Sequence, residues 1–144
     1  MDDRVYRQIV EGSPDAIVVG DAKGVIRLWN AGAAAIFGFT AEEALGKSMD
    51  LIIPERLRGR HWEAYDRVMA TGVSRYGAGD VLAVPAMTKD GRTISIEFTI
   101  QMLKGPSGEI LGPVATIREV TKRFQREKEM ARRLKELEAK AGGR

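Results

Sequence analysis

The sequence predicts an α+β domain in which a five-stranded antiparallel sheet carries helices on one face. Three observations lead there. Residues 93–102 alternate without a break: Ile94, Ile96, Phe98, Ile100 and Met102 fall on one side, Thr93, Ser95, Glu97, Thr99 and Gln101 on the other. That is the period of a strand with one buried face. Three turn clusters, Asp21-Ala22-Lys23-Gly24, Lys89-Asp90-Gly91-Arg92 and Gly105-Pro106-Ser107-Gly108, each join two strand-like runs, as hairpin connections do. Between the first and second of these clusters the pattern turns helical.

The elements follow in order. Residues 2–11 open with acids at a helix N-terminus and carry Val5, Ile9 and Val10 as a small apolar stripe, which reads as a short amphipathic helix, either a packing cap or a dimer contact. Gly12-Ser13-Pro14 stops it. Residues 16–20 and 25–29 form the first hairpin. Asn30 caps a helix of small residues over 31–37, and Gly38-Phe39 breaks it. Thr40-Ala41-Glu42-Glu43 is a capping box, in which hydroxyl and carboxylate satisfy orphan amides reciprocally. An apolar connector, 49–53, leads through Pro54 to a helix ending at Gly72. Strands follow at 81–87, 93–102 and 110–120. Pro85 favours an edge or a bulge for the first of them.

Composition narrows the class. Of 144 residues, 44% are hydrophobic and 30% charged, which suits a globular domain with a real core and an appendage. No apolar run approaches a membrane span and the acidic N-terminus is no secretory signal, so a cytoplasmic location is expected. The absence of cysteine excludes disulfides, thiolate metal sites, thiol nucleophiles and cysteinyl photo-adducts. Residues 1–120 carry 14 Lys+Arg and 16 Asp+Glu, whereas 121–144 carry 9 and 4. The net charge of +3 therefore belongs to the tail, and a nucleic-acid partner is not expected.

That tail, free of Gly and Pro over 121–140, is helical in composition. Phe124, Met130, Ala131, Leu134 and Leu137 form an uneven stripe, and Glu127 falls where a strict coiled-coil seam wants an apolar residue. A helix with one apolar side that leaves a domain needs a second copy or a following domain to cover it.

The single histidine lies in the helix after Pro54. Leu57, His61, Ala64, Tyr65, Val68 and Met69 recur at spacings of three and four, which places the imidazole on the apolar face, while Arg56, Arg58, Arg60, Glu63, Asp66 and Arg67 meet water. A buried imidazole needs a carbonyl, a water or a metal, because an unpaired buried polar group costs about 1–3 kcal/mol. Enzymes find little support. One histidine and no nucleophile elbow give no triad, Gly77-Ala78-Gly79 is no phosphate loop, and the tail lacks a histidine to phosphorylate. A non-enzyme is expected, its output passing through a partner or an effector domain.

Taken together, Ser13-Pro14-Asp15-Ala16-Ile17, Trp29-Asn30-Ala31, the run from Ile36-Phe37-Gly38-Phe39 to Ala44-Leu45-Gly46, Ile53-Pro54-Glu55, Lys89-Asp90-Gly91 and Arg118-Glu119-Val120-Thr121 resemble a PAS domain over most of residues 5–121. Glu119 stands where that family usually has Asp. The resemblance implies a sheet in the order 2-1-5-4-3, a ligand cavity flanked by the His61 helix, and signals leaving through the C-terminal helix. The units are then a cap helix at 1–12, the PAS domain at 13–121 and a signalling helix at 122–144.

Within that superfamily, His61 followed by Arg67 and Met69-Ala70-Thr71-Gly72 resembles the haem-binding oxygen sensors of the FixL type. The likeness implies haem b with His61 as the iron ligand and Arg67 near a propionate. Tyr76, Phe98 and Ile100 match the apolar distal wall. The family's distal arginine falls near Val81 or Leu82, neither of which can donate a hydrogen bond, so Leu82 joins the candidate site as a departure. Met87 could be a sixth ligand only if its strand bends at Pro85. Non-covalent flavin, with Trp29 or Trp62 to stack on, is the other cofactor considered. The expected function is a homodimeric sensory module that binds a small ligand, haem foremost, and relays its state through paired C-terminal helices. The alternative is a ligand-free PAS domain for dimerisation or protein docking.

Overall fold

The structure is a computed structural model and describes residues 1–72 and 81–142. Helix α1 (Asp3–Gly12) leads into β1 (Ala16–Gly20), β2 (Ile26–Trp29), α2 (Ala31–Phe37), α3 (Ala41–Ala44) and a 3-10 turn at Met49–Ile52. Helix α4 (Glu55–Thr71) precedes β3 (Leu82–Met87), β4 (Thr93–Lys104) and β5 (Ile110–Glu119), and α5 (Thr121–Gly142) leaves the sheet. The five strands pair antiparallel in the order β2-β1-β5-β4-β3. The fold is the α+β architecture expected from the sequence, including its strand order.

Local chemistry accounts for the boundaries. Asp2 caps α1 by accepting from the Arg4 and Val5 amides, and the Thr40–Glu43 capping box is formed in both directions. Pro85 does not bend its strand. The register from Leu82↔Phe98 to Met87↔Thr93 runs without a shift, because β3 lies at the sheet edge, where a missing amide breaks no ladder.

Pairing puts Ala16, Ile117, Phe98 and Leu82 in one row across the sheet. Opposed residues in a ladder share a face, so this row and its neighbours two residues away form the inner face. Ala16, Val18, Ala115, Ile117, Ile94, Ile96 and Ala86 on that face are buried with Ala33, Phe37, Ala44, Met49, Ile52 and Tyr65 from the helices. Trp29 sits within this core, its indole donating to the Phe39 carbonyl at 2.9 Å and packing against Phe37 and Phe39. It is a packing residue and offers no free ring for a flavin.

Asn30 does more than cap α2. Its amide nitrogen donates to the carbonyls of Val10 (2.8 Å) and Asp15 (3.0 Å), while its oxygen accepts from the Ile17 and Ala33 amides, both at 2.9 Å. One buried side chain thus joins the end of α1, the start of β1 and the first turn of α2.

Candidate functional site

Helix α4 is seated on the β1–β2 turn by two aromatic residues. A Cβ on Gly24 would lie 2.0 Å from the Trp62 ring, so the indole occupies space that only a glycine leaves open. The same indole donates to the Asp50 carboxylate at 2.7 Å. The Tyr65 hydroxyl donates to the Asp21 carbonyl, and burial, helped by the Asp21 charge, pushes its pKa up to about 12. At the far end of the helix Gly72 abuts Ile110 at the start of β5.

This seating corrects the expected apolar face. The buried side of α4 is rotated toward Trp62: Ala64 is exposed, and Trp62 packs on the core beside Tyr65 and Met69. The indole is the larger group, and its burial outweighs that of a methyl. Arg58, expected in water, is half-buried and donates to the carbonyls of Ile53 (3.0 Å) and Asp50 (3.3 Å). Trp62 thereby acts as a wedge between α4 and the turn.

His61 lies on the inward side of α4. Its ring centroid is 4.7 Å from that of Trp62 and 5.7 Å from that of Tyr65. Its Nδ1 is buried and has no hydrogen-bond partner among the described residues. Burial lowers the imidazole pKa below 6.5, opposed by the Asp50 carboxylate, so the ring is neutral at neutral pH. A neutral imidazole with an unengaged nitrogen is the form that ligates transition metals.

The inner sheet face is graded. Ile94, Ile96, Ala115 and Ile117 are buried, whereas Phe98, Ile100, Met102 and Pro113, toward the Lys104–Ile110 end, are only half-buried. Strand β3 begins opposite Phe98, so Ile100 and Met102 extend past it. The α4 C-terminus stands at that same end, beside Ile110. This half-covered apolar surface, with α4 across its end, is the candidate site.

The structure brings Leu82, Phe98 and Ile100 together on it: Leu82 and Phe98 are direct cross-strand neighbours and Ile100 is the next inward residue of β4. Arg67 lies on the exposed side of α4, on a different face from His61. Tyr76 lies outside the described residues, as does Gly77-Ala78-Gly79. Met87 pairs with Thr93 in unbroken register, so it points to the opposite sheet face from Leu82 and Ala86, and the strand does not present it as a ligand. Among the described residues no group of three or more His, Asp or Glu side chains could hold a metal ion. His61 would be the one protein ligand in this set, which suits a metal carried in a macrocycle better than a bare ion.

On the other face of β4, sequence reasoning overlooked the joint with α5. The Ser95 amide donates to Thr121 Oγ1 at 3.0 Å, the Val120 amide donates to the Ser95 carbonyl at 2.8 Å, and Arg123 pairs with Glu97. The strict alternation of β4 was the available signal for Glu97, whose side chain it assigns to the face away from the core; the Ser95 bonds run from its backbone. Arg118 closes the end of the sheet on Asp15 at 3.2 Å.

A sheet in this order, helices on its inner face and a helix leaving from β5 define a PAS fold, and comparison with known proteins agrees. The chain belongs to the PAS fold family, whose profile matches residues 10–125. The sensor protein FixL of Bradyrhizobium diazoefficiens is 32% identical over 95 residues, 65% of this chain and 18% of that protein. An uncharacterized protein of Azorhizobium caulinodans is 35% identical over 95 residues, 65% of this chain and 13% of its own length. The chain thus spans less than a fifth of the curated relatives it matches. Among solved structures, a PAS domain from Colwellia psychrerythraea superposes with a TM-score of 0.71 at 21% identity, covering 83% of this chain and 97% of that one. An RNA-binding light-oxygen-voltage receptor gives 0.73 at 18% identity over 92% of this chain and 37% of that one, and the PAS domain of Bordetella pertussis BvgS gives 0.61 at 22% identity over 96% and 99%. At such identities these structures speak for the fold alone. Among the described residues no helix is long and apolar enough to cross a membrane.

Proposed function

We propose that this domain is a non-catalytic sensor that takes haem b between α4 and the half-covered inner face of β4, and relays occupancy through α5 in a homodimer. The observation that carries the reading is the buried Nδ1 of His61, without a hydrogen-bond partner among the described residues, on a helix beside an incompletely covered apolar face. The likeness to FixL at 32% identity supports the choice of cofactor. When bound, haem would supply an iron centre able to take a diatomic gas. His61, neutral because it is buried, supplies the imidazole. Leu82, Phe98 and Ile100 shield one side of the flat ring from water, and the exposed Arg67 offers a cation to a propionate. Tyr76 is assigned to the same wall from the sequence alone.

The relay runs through β4. Phe98 faces the site, and Ser95 and Glu97, on the opposite face of the same strand, hold Thr121 and Arg123 of α5. A shift of β4 that accommodates the ligand is therefore delivered to the first turn of α5, because packed strands move as units.

The test is spectral. Protein purified from haem-replete cells is expected to show a Soret band that His61→Ala abolishes. A colourless protein that also fails to take up added haemin would overturn the haem assignment. It would leave the ligand-free dimerisation or docking domain, which the exposed apolar residues of α1 (Tyr6, Ile9) and α5 (Met130, Leu134, Leu137) would then favour.

A further inference from the structure

Trp29, Trp62 and Tyr65 are the indole and phenol rings held within the fold among the described residues, and each places its proton differently. Trp29 donates to the Phe39 carbonyl, and Tyr65 to the Asp21 carbonyl. Trp62 donates to a carboxylate: its Nε1 is 2.7 Å from Asp50 Oδ1. A backbone carbonyl is too weak a base to take such a proton, whereas a carboxylate within hydrogen-bond reach can take it. Tyr65 holds its proton the more firmly because burial, with the Asp21 charge, pushes its pKa up to about 12. Arg58 fixes the acceptor in place. Its Nε stands 3.9 Å from the same Asp50 oxygen, and its Nη2 donates to the Asp50 carbonyl. The Trp62 ring also borders the candidate site, its centroid 4.7 Å from that of His61 and 5.2 Å from that of Tyr65.

We propose that Trp62 and Asp50 form a one-electron donor site that reduces an oxidised occupant of the space beside His61. The acceptor is a one-electron oxidant held against the imidazole, and haem oxidised by a hydroperoxide is the class that agrees with the function proposed above. The donor site goes beyond that function, because it needs the occupant only as an electron acceptor. In the step, one electron leaves the Trp62 indole and the acceptor is reduced by one electron. The Nε1–H bond breaks and an O–H bond forms on Asp50 Oδ1. The products are a neutral indolyl radical, a carboxylic acid and the reduced acceptor, so atoms and charge balance. Without the carboxylate, an oxidised ring would keep its proton and leave an unpaired positive charge inside the fold, which is costly. Trp29 and Tyr65 meet that cost and Trp62 does not. The contact of indole with imidazole supplies the path from donor to occupant.

Photogenerated tris(bipyridine)ruthenium(III), followed by transient absorption, tests the donor in this chain without any cofactor. The unsubstituted protein is expected to give a neutral tryptophanyl radical that appears together with the oxidation and forms more slowly in deuterium oxide. Trp62→Phe should lose that radical. Asp50→Asn keeps an oxygen to accept the hydrogen bond but removes the base, so its radical should appear first as the protonated cation. The same neutral radical in Trp62→Phe, or an unchanged course in Asp50→Asn, would overturn the proposal. Absence of the isotope effect in the unsubstituted protein would overturn it too, and that measurement stands even where a variant fails to fold. Hydrogen peroxide added to haemin-loaded protein then tests the electron's destination by electron paramagnetic resonance. A tryptophanyl radical is expected, and none in Trp62→Phe with its Soret band intact. A Soret band with no radical defeats the donor role and leaves the haem reading standing. The ruthenium-generated radical in a protein that takes up no haemin does the reverse.

Discussion

Ser95 and Thr121 bind the sheet to its outgoing helix. The Ser95 amide donates to the Thr121 hydroxyl at 3.0 Å, and the carbonyl of the same serine accepts from the amide next to Thr121, that of Val120, at 2.8 Å. A strand residue on the outer face therefore has both backbone groups spent on the joint. Arg123 and Glu97 repeat the link two residues further on.

Removing the Thr121 hydroxyl strands the Ser95 amide. Thr121→Val is expected to cost about 1 kcal/mol of unfolding free energy. Amide exchange should rise over the first turn of α5 while staying unchanged in β1 and β2. Denaturant unfolding with hydrogen-exchange mass spectrometry checks both.

Asn30 tests the internal knot. Asn30→Ala is expected to destabilise the domain by about 2–4 kcal/mol, since two amides and two carbonyls lose their partner inside the fold. Asn30→Asp keeps the accepting oxygen but turns a carboxylate toward the Val10 and Asp15 carbonyls. Its penalty should grow with pH as that group ionises, whereas the loss in Asn30→Ala stays flat. Thermal melts at pH 4.5 and 7.5 separate the two.

Gly24 and Trp62 form a testable pair. Gly24 has φ +79° and no room for a Cβ against the indole. Gly24→Ala should cost about 1–2 kcal/mol for the backbone and a further clash of similar size. In a Trp62→Ala background only the backbone part should remain, and a double-mutant cycle measures the coupling.

His61 should make the ligand-free domain acid-sensitive. Burial sets its folded pKa below the 6.5 of the unfolded chain, so the unfolded state takes up the proton first. The full stability holds above pH 6.5 and declines as the pH falls from there toward the folded pKa. His61→Gln should flatten that part of the curve. Urea midpoints between pH 5 and 7.5 provide the check.

Some elements could be read from sequence because one local rule decides each. The alternation of β4, the Thr40–Glu43 box and the glycines after α2 and α4 depend on residues a few positions apart. The inward side of α4 was harder. Helical period alone admits a stripe through Ala64 or through Trp62, and the choice is made by Gly24, a residue almost forty positions away. The same distance hid the second role of Asn30: a cap is local, but its bonds to Val10 and Asp15 exist only once α1 and β1 meet.

The sequence by itself determined the strands, the turns and the presence of a single imidazole on an inward helix face, because periodicity and turn chemistry act over short range. The tertiary structure alone decided that the imidazole keeps a buried nitrogen with no partner among the described residues, that Met87 faces away from it, and that Ser95 and Glu97 hold the outgoing helix. Each of these depends on which surfaces meet across the fold, and the burial energy of side chains distant in sequence sets that choice.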